Sequence, residues 1–455
     1  MENIYNSLKN AFQNLIKENT NNSIFLPFSF LIISIPLGFA INNIAMGIFV
    51  LIAILKYKQS NFSINNVLLL PIALFGLMAL SVFWSIDRNS SINALSKEIS
   101  LLLIPLVFLF YNKFSRKQKQ KHIALYSYSI IALTIYYLSR AIIRFLITHD
   151  KKVFFYHGTN DVDYGLVPKL LNAIHVSVFV AIAFFYFFTK KTKTTLDYAF
   201  SLLLFSFIIL LSSKNVIIVF ILLILVYIFF YSNAAYKMRL KNLIVFGIIL
   251  ITLFSVGIIK ERFQVEFQKN TDKSISTNVV ETIPQGVHNV SILEAWTNPV
   301  FTPNDYFNGT AFRVYQFRIF LELIKENNTY LQGFGLNASY SKIKEKAQQY
   351  NLYMGFQGDS DSGYQTKNFH NQYIQIFAEL GVFGFLIIII MLFYNIKNAI
   401  KSKDFVFFAF AFLMISLFLT ESFLWRQRGV VFFTAFYCLF NSGQFRHTKE
   451  PKQSA

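Results

Sequence analysis

The sequence predicts an all-α polytopic membrane protein with about 12 transmembrane helices and a large, mainly helical periplasmic domain between helices 9 and 10. Three observations lead there. Of the 455 residues, 55% are hydrophobic and only 14% charged, with a mean hydropathy of +0.46. Soluble domains carry roughly 25% charged residues, so this composition excludes a disordered chain and argues against an ordinary soluble enzyme. Apolar runs near the roughly 20 residues that cross a hydrocarbon core of about 30 Å recur along the chain. Finally, the 42 Lys and Arg outnumber 23 Asp and Glu, for a net charge of +19, and they gather in alternate loops. That distribution belongs to a membrane surface and not to nucleic acid.

The runs fall at 24–40, 41–56, 66–84, 97–111, 123–147, 168–189, 196–212, 214–231, 241–259, 372–395, 404–420 and 428–442. Only Ile41-Asn42-Asn43 separates the first two, and the fourth is short. Lys113, Arg116, Lys117, Lys119 and Lys121 follow the fourth run, and Lys190, Lys191 and Lys193 the sixth. Lys237, Arg239 and Lys241 follow the eighth, Lys397, Lys401 and Lys403 the tenth, and Arg446, Lys449 and Lys452 the last. Short cytoplasmic loops hold the Lys/Arg excess, so these loops and both termini are expected in the cytoplasm. No small-residue cleavage pattern follows the first run, so the first helix is expected to remain. Cys438 is the only cysteine and lies in an apolar run, which excludes a disulfide framework and a cysteine metal site.

Four regions result: helices 1 to 9 over 1–260, a periplasmic domain over 261–371, helices 10 to 12 over 372–442, and a cytoplasmic tail over 443–455. Segment 261–371 holds ten Lys/Arg and eleven Asp/Glu, so it is near neutral. A structureless loop of that length is uncommon in a compact protein, hence a domain that carries function. Within it, 272–303 lacks helical period and is expected to be irregular.

The clearest helix of that domain is FRVYQFRIFLELIKEN, 312–327. Phe317, Phe320, Leu321 and Ile324 at i, i+3, i+4 and i+7 mark one face, with Arg313 in its middle. A buried arginine needs an anionic partner, either a structural carboxylate or a ligand. Arg318 and Glu322, at i, i+4 on the opposite side, read as a solvated pair. KNFHNQYIQIFAELGVFGFL, 367–386, leads into the tenth span. His370 stands just before that helix, as a plain helix-end histidine or as a base that titrates near neutral pH. Gln372, Gln375 and Glu379 form a polar stripe that must face the bundle interior or a water-filled cavity. Gly381 and Gly384 permit close helix packing. Lys214 occupies a short outward turn, as a snorkelling lysine or a ligand contact. Arg140 and Arg144, near the outer end of the fifth span, oppose the charge trend and meet either a substrate anion or Glu379. His175 lies in the outer turn of the sixth span, as a neutral hydrogen-bonded residue or a substrate contact.

Cations and imidazoles at one membrane surface suit a diphosphate at headgroup depth. Outside the cytoplasm a transfer reaction must use energy stored in its donor, and a polyprenyl diphosphate-linked sugar is such a donor. Arg and Lys would stabilise the charge growing on the diphosphate while His370 takes the acceptor hydroxyl's proton. The scheme requires no metal and no cofactor.

The pattern resembles the O-antigen ligase and polymerase family, bacterial membrane glycosyltransferases with a shared carboxy-terminal motif region. The resemblance rests on the span layout, on RVYQFRIFLELIKENNTYLQGFG from Arg313 to Gly333-Phe334-Gly335, and on HNQYIQIFAELGVFGF from His370. It implies that His370 activates the acceptor and that Arg313 is the family's outward-domain arginine. Lys214 stands where the family has an arginine, which keeps the charge without the bidentate fork. His175 is similar to a histidine at the start of an outward-facing span. The implied function is an O-antigen ligase-like glycosyltransferase in the bacterial inner membrane, acting in lipopolysaccharide biosynthesis. It would move a glycan from undecaprenyl diphosphate to a lipid A-core hydroxyl, metal-independent and inverting. The alternative is a surface-polysaccharide polymerase, whose acceptor is a lipid-linked glycan; a third kind of member transfers glycans to protein. A polysaccharide transporter or flippase is the reading from another class. Transporters show two related halves with broken helices near the midplane, whereas here the charges gather at the outer surface beside one large loop.

Overall fold

The computed structural model describes residues 2–60, 62–111, 114–155, 165–232, 235–240, 243–244, 247, 288–355 and 363–443. The expected ninth span at 241–259, the long segment before 288, Lys113, Lys241 and the tail with Arg446, Lys449 and Lys452 therefore lie largely or wholly outside the described residues. In chain order come α1 (Glu2–Asn21), α2 (Phe25–Ser34), α3 (Phe39–Leu55), α4 (Asn66–Ser81), α5 (Arg88–Glu98), α6 (Ser100–Phe110), α7 (Arg116–Thr148), α8 (Ala173–Phe188), α9 (Thr195–Leu211) and α10 (Lys214–Val226). A π turn, Tyr227–Tyr231, continues α10. Then follow β1 (His288–Val290), α11 (Ile292–Thr297), β2 (Asp305–Phe307), α12 (Gly309–Asn327), α13 (Ser339–Gln349), α14 (Gln372–Ser402), α15 (Phe405–Phe418) and α16 (Gln427–Asn441).

Among the described residues four helical stretches are long and apolar enough to cross a membrane: Arg88–Phe110, Arg116–Thr148, Lys214–Tyr231 and Gln372–Ser402. Shorter apolar helices fill the spaces between them, and the chain is a multi-pass helical membrane protein. The helix starts follow local chemistry. Ser115 and Thr194 each make a reciprocal capping box, with Gln118 and Asp197, so α7 and α9 begin where orphan backbone donors find side-chain acceptors. The fourth apolar run begins earlier than its hydropathy indicates. Asp87 caps α5, a polar helix that joins α6 through the helical Ile99. Helix α7 has 33 residues, about 50 Å at 1.5 Å per residue, so the apolar 123–147 is only its middle.

Two cores hold the molecule. The larger unites the apolar helices through aromatic pairs such as Phe407 on Phe440, with ring centroids 4.6 Å apart. The smaller gathers Phe301, Phe307, Tyr315, Ile319 and Phe334 with Ile343 of α13, and reaches Ala378 of α14. Beside it β1 and β2 pair in parallel, with Asn289 opposite Tyr306.

The junction between the cores is a break in α14. Gly381 has φ 66° and ψ −161°, outside helical space. The carbonyls freed there accept from the segment after α12: Phe334 N–H donates to Ala378 O at 2.8 Å and Gly335 N–H to Glu379 O at 2.9 Å. Val382 N–H donates to Tyr330 O at 2.9 Å. A Cβ at Gly381 would collide with the Leu331 backbone, and one at Gly333, φ 67°, with that of Glu379. Gly381 is thus a helix break, not the helix-packing contact that its spacing suggests, and the atoms nearest Gly384 belong to Leu380 and Ile376 of its own helix. Trp84 Nε1 donates to Gln332 O at 2.9 Å and Leu336 N–H to Ser81 Oγ at 3.0 Å, so the same segment anchors to the end of α4.

Candidate active site

A cavity of about 1090 Å³ opens where the two cores meet, lined among others by Lys214, Arg313, His370, Glu421 and Arg426. These come from separate stretches of chain, which the fold gathers at one end of the bundle. Ser212 takes a left-handed φ of 55°, turning α9 into α10 and leaving Lys214 as the first residue of α10. Asn215 Nδ2 donates to Thr420 Oγ1 at 2.5 Å, tying that turn to the end of α15. Arg313 crosses the same gap: its Nε donates to Thr420 O at 3.0 Å and its NH1 to Gly309 O at 2.7 Å.

His370 has φ 47°, stabilised by its N–H donating to Asn368 Oδ1 at 2.9 Å. Its Nδ1 lies 3.3 Å from Glu421 Oε2, and Phe312 meets the ring edge-on at 5.9 Å. Burial raises the Glu421 pKa, but the hydrogen bond and charge of His370, with the nearby charge of Arg313, outweigh it and leave the carboxyl below its ordinary value. An ionised Glu421 accepts from Nδ1–H, and in the neutral imidazole this leaves the lone pair on Nε2.

Helix ends add to the positive field. Asn172, Ser213, Asn308 and Arg426, the N-cap residues of α8, α10, α12 and α16, all line the cavity. Each N-terminus carries about half a positive charge and presents backbone N–H groups. Ser213 and Arg426 make no side-chain cap, so those N–H groups are not taken by the residue that precedes them. An apolar groove of about 490 Å³ adjoins, with Arg313 at its edge beside Phe317, Tyr373, Phe385 and Ile389.

The structure brings together three of the sequence-derived residues, Lys214, Arg313 and His370, and separates three. His175 is 1% exposed and stacks on Phe423 at 4.3 Å, behind the wall that Ala173 and Ile174 form. Arg140 and Arg144 do not line the cavity, and Arg140 lies against the Tyr137 ring at 6.0 Å. The stripe of Gln372, Gln375 and Glu379 turns inward: Gln372 accepts from Leu424 N–H at 2.7 Å, and Gln375 hydrogen-bonds Glu379.

The reading of Arg318 as a solvated pair is corrected. Its side chain is 14% exposed, bonded to Glu322 at 3.0 Å, Asn298 O at 2.7 Å and the Tyr350 hydroxyl at 3.0 Å. Lys346, only 4% exposed, closes the network on Glu322 at 3.1 Å. The i, i+4 spacing that joins Arg318 to Glu322 on one helix says nothing of α13, whose end covers this face. Conversely Phe317 and Leu321, expected inside, are 43% and 44% exposed, while Tyr315, Gln316 and Ile319 are buried.

Glu421 and Arg426 escaped the sequence reading. Both stand in the short segment between the last two apolar runs, at the end of the bundle away from the lysine loops. The argument that singled out Arg140 and Arg144, charge against the positive-inside trend, applies there equally.

No curated protein matches the chain. The family model described as O-antigen ligase matches residues 199–389, a segment that runs from α9 into α14 and includes Lys214, Arg313 and His370. Over that segment the chain is similar to the O-antigen ligase family.

Proposed function

We propose that the large cavity is the transfer site of an O-antigen ligase-type enzyme that moves a glycan from undecaprenyl diphosphate to a hydroxyl of lipid A-core. The observation that carries this reading is the convergence of Lys214, Arg313, Arg426 and four helix N-termini on one cavity that adjoins an apolar groove at Arg313. The diphosphate lies among the cations, and the polyprenyl chain leaves along the groove between α12 and α14. His370 Nε2 takes the proton of the acceptor hydroxyl, and Glu421 holds Nδ1–H and steadies the imidazolium that forms. The hydroxyl oxygen attacks the anomeric carbon from the face opposite the diphosphate, so configuration inverts as the glycosidic C–O bond to phosphate breaks. The leaving diphosphate takes the electron pair, and preorganised cations and N–H groups aimed at it lower the barrier without a metal.

The lysine loops support a periplasmic position for this end of the bundle, with the described residues 288–355 and 363–371 on the acceptor side. The test is loss of the gene with analysis of cellular glycolipids. Ligase loss leaves core lipid without glycan while long lipid-linked glycan accumulates. Core bearing a single repeat assigns the polymerase reading instead, and normal glycolipids in both respects overturn the enzyme reading.

A further inference from the structure

A second cavity, of about 870 Å³, lies at the other end of the bundle. Helix α9 separates the two: Ser212 at its end lines the first, and Lys193 just before its start lines the second. Seventeen residues at 1.5 Å each put about 25 Å between them.

Five cations line this cavity, Arg116, Lys190, Lys191, Lys193 and Lys403, against one lining carboxylate, Asp404. The acidic groups nearby are already engaged. Asp404 caps α15, accepting from Val406 N–H at 2.9 Å and Phe407 N–H at 3.2 Å. Asp197 holds Lys190 at 2.5 Å and accepts from Thr194 N–H at 2.9 Å. Among the described residues no carboxylate lies within ion-pair distance of Arg116, Lys191, Lys193 or Lys403. Lys193 is packed over the Phe188 and Tyr198 rings at 4.9 and 5.3 Å. Burial lowers its pKa and the charge of Asp197 only partly offsets this. Crowded ammonium groups in a half-apolar hollow repel one another unless an anion enters.

We infer that this cavity binds the phosphodiester headgroup of an anionic glycerophospholipid. Volume and lining favour a lipid over a free phosphate. Ligand sites of about 300–1,000 Å³ hold molecules far larger than one phosphate. Tyr186, Tyr198, Tyr227 and Tyr231 are among the lining residues, and Phe188, Ile228, Phe405 and Val406 supply an apolar wall for the glycerol and first acyl carbons. Basic pockets between helices at the cytoplasmic surface suit such headgroups. The orientation given under the proposed function decides only which leaflet supplies the lipid, not whether it binds.

The experiment is native mass spectrometry of the full-length protein in detergent, titrated with phosphatidylglycerol, phosphatidylcholine or inorganic phosphate. Wild type should retain phosphatidylglycerol at least tenfold better than phosphatidylcholine. The triple variant Lys191→Gln, Lys193→Gln, Lys403→Gln should lose about 100-fold of that affinity, at about tenfold or less per charge near a membrane surface. The matching triple arginine variant should keep it, which separates lost charge from a misfolded pocket. Equal retention of both lipids, undiminished phosphatidylglycerol binding by the glutamine variant, or full competition by inorganic phosphate would each overturn the assignment. Failure here leaves the transfer site untouched, because none of these residues lines it.

Discussion

Arg313 and Arg318 stand five residues apart on α12 and have different partners. Arg318 belongs to a network with Glu322, Tyr350 and Lys346, largely covered by α13. Arg318→Ala should lower the unfolding free energy by about 1–3 kcal/mol, because it leaves Glu322 and Asn298 O short of a donor; thermal unfolding in detergent measures this. Burial raises the Glu322 pKa, but hydrogen bonds from Tyr350, Lys346 and Arg318 outweigh it, so the folded value lies below the ordinary one. A depressed carboxyl pKa stabilises the fold above the unfolded value, near 4.3, and that stability is lost as pH falls through the folded value. The unfolding temperature should therefore drop below about pH 4, and Glu322→Gln should remove part of that acid dependence. In the cavity, Glu421→Gln should cost turnover and spare donor binding, losing part of the about 10²–10⁴-fold that a positioned general base contributes. Separate measurement of kcat and donor Kd distinguishes this from a loss of folding. Lys214→Arg should keep substantial activity, since charge is what the site needs there, whereas Lys214→Ala should weaken donor binding.

At the scale of elements, the break in α14 fixes where His370 stands relative to the bundle. Backbone donors of the segment after α12 satisfy the carbonyls the break exposes, so the two glycines act as one unit. Gly381→Ala and Gly333→Ala should each destabilise the protein by at least about 1–3 kcal/mol, the cost of positive φ without glycine, with backbone collision added. Gly47→Ala, inside α3 with nothing within 4 Å of the new Cβ, is the control and should be silent or slightly stabilising. The yield of folded protein and its thermal unfolding check all three. The motif Gly333-Phe334-Gly335 was legible in the sequence as spacing, but its task was not. A positive φ leaves no trace in hydropathy, and the partner of Gly333 lies 46 residues further along the chain. The apolar helices were legible because each carries its own run. Helix α1 was not, since its polar sequence ENIYNSLKNAFQNLIKENTN stays below any span threshold.

For the whole molecule, the account depends on which end of the bundle faces out. A reporter fused after Lys342 should read periplasmic, and reporters after Lys117 and Arg239 cytoplasmic. A cytoplasmic signal at Lys342 would place the cavity where no periplasmic acceptor reaches it. The site itself was half legible. His370 and Lys214 are an imidazole and a cation at span ends, a position that hydropathy marks; Arg313 is a charge set among the apolar residues of α12, and the cavity unites the three. Glu421 sits 51 residues from the histidine it holds, and only the folded chain shows that pairing. Arg140, Arg144 and His175 satisfied the same criterion of depth, yet depth says nothing of direction around the bundle.

The measurement that bears most directly on this account is transfer by His370→Ala, assayed on purified full-length protein with a polyprenyl diphosphate-linked glycan, with donor binding followed in parallel and chelator present in one arm. The account predicts donor binding close to wild type and turnover reduced about 10²–10⁴-fold, with wild-type transfer insensitive to chelator. Full turnover by His370→Ala would contradict it.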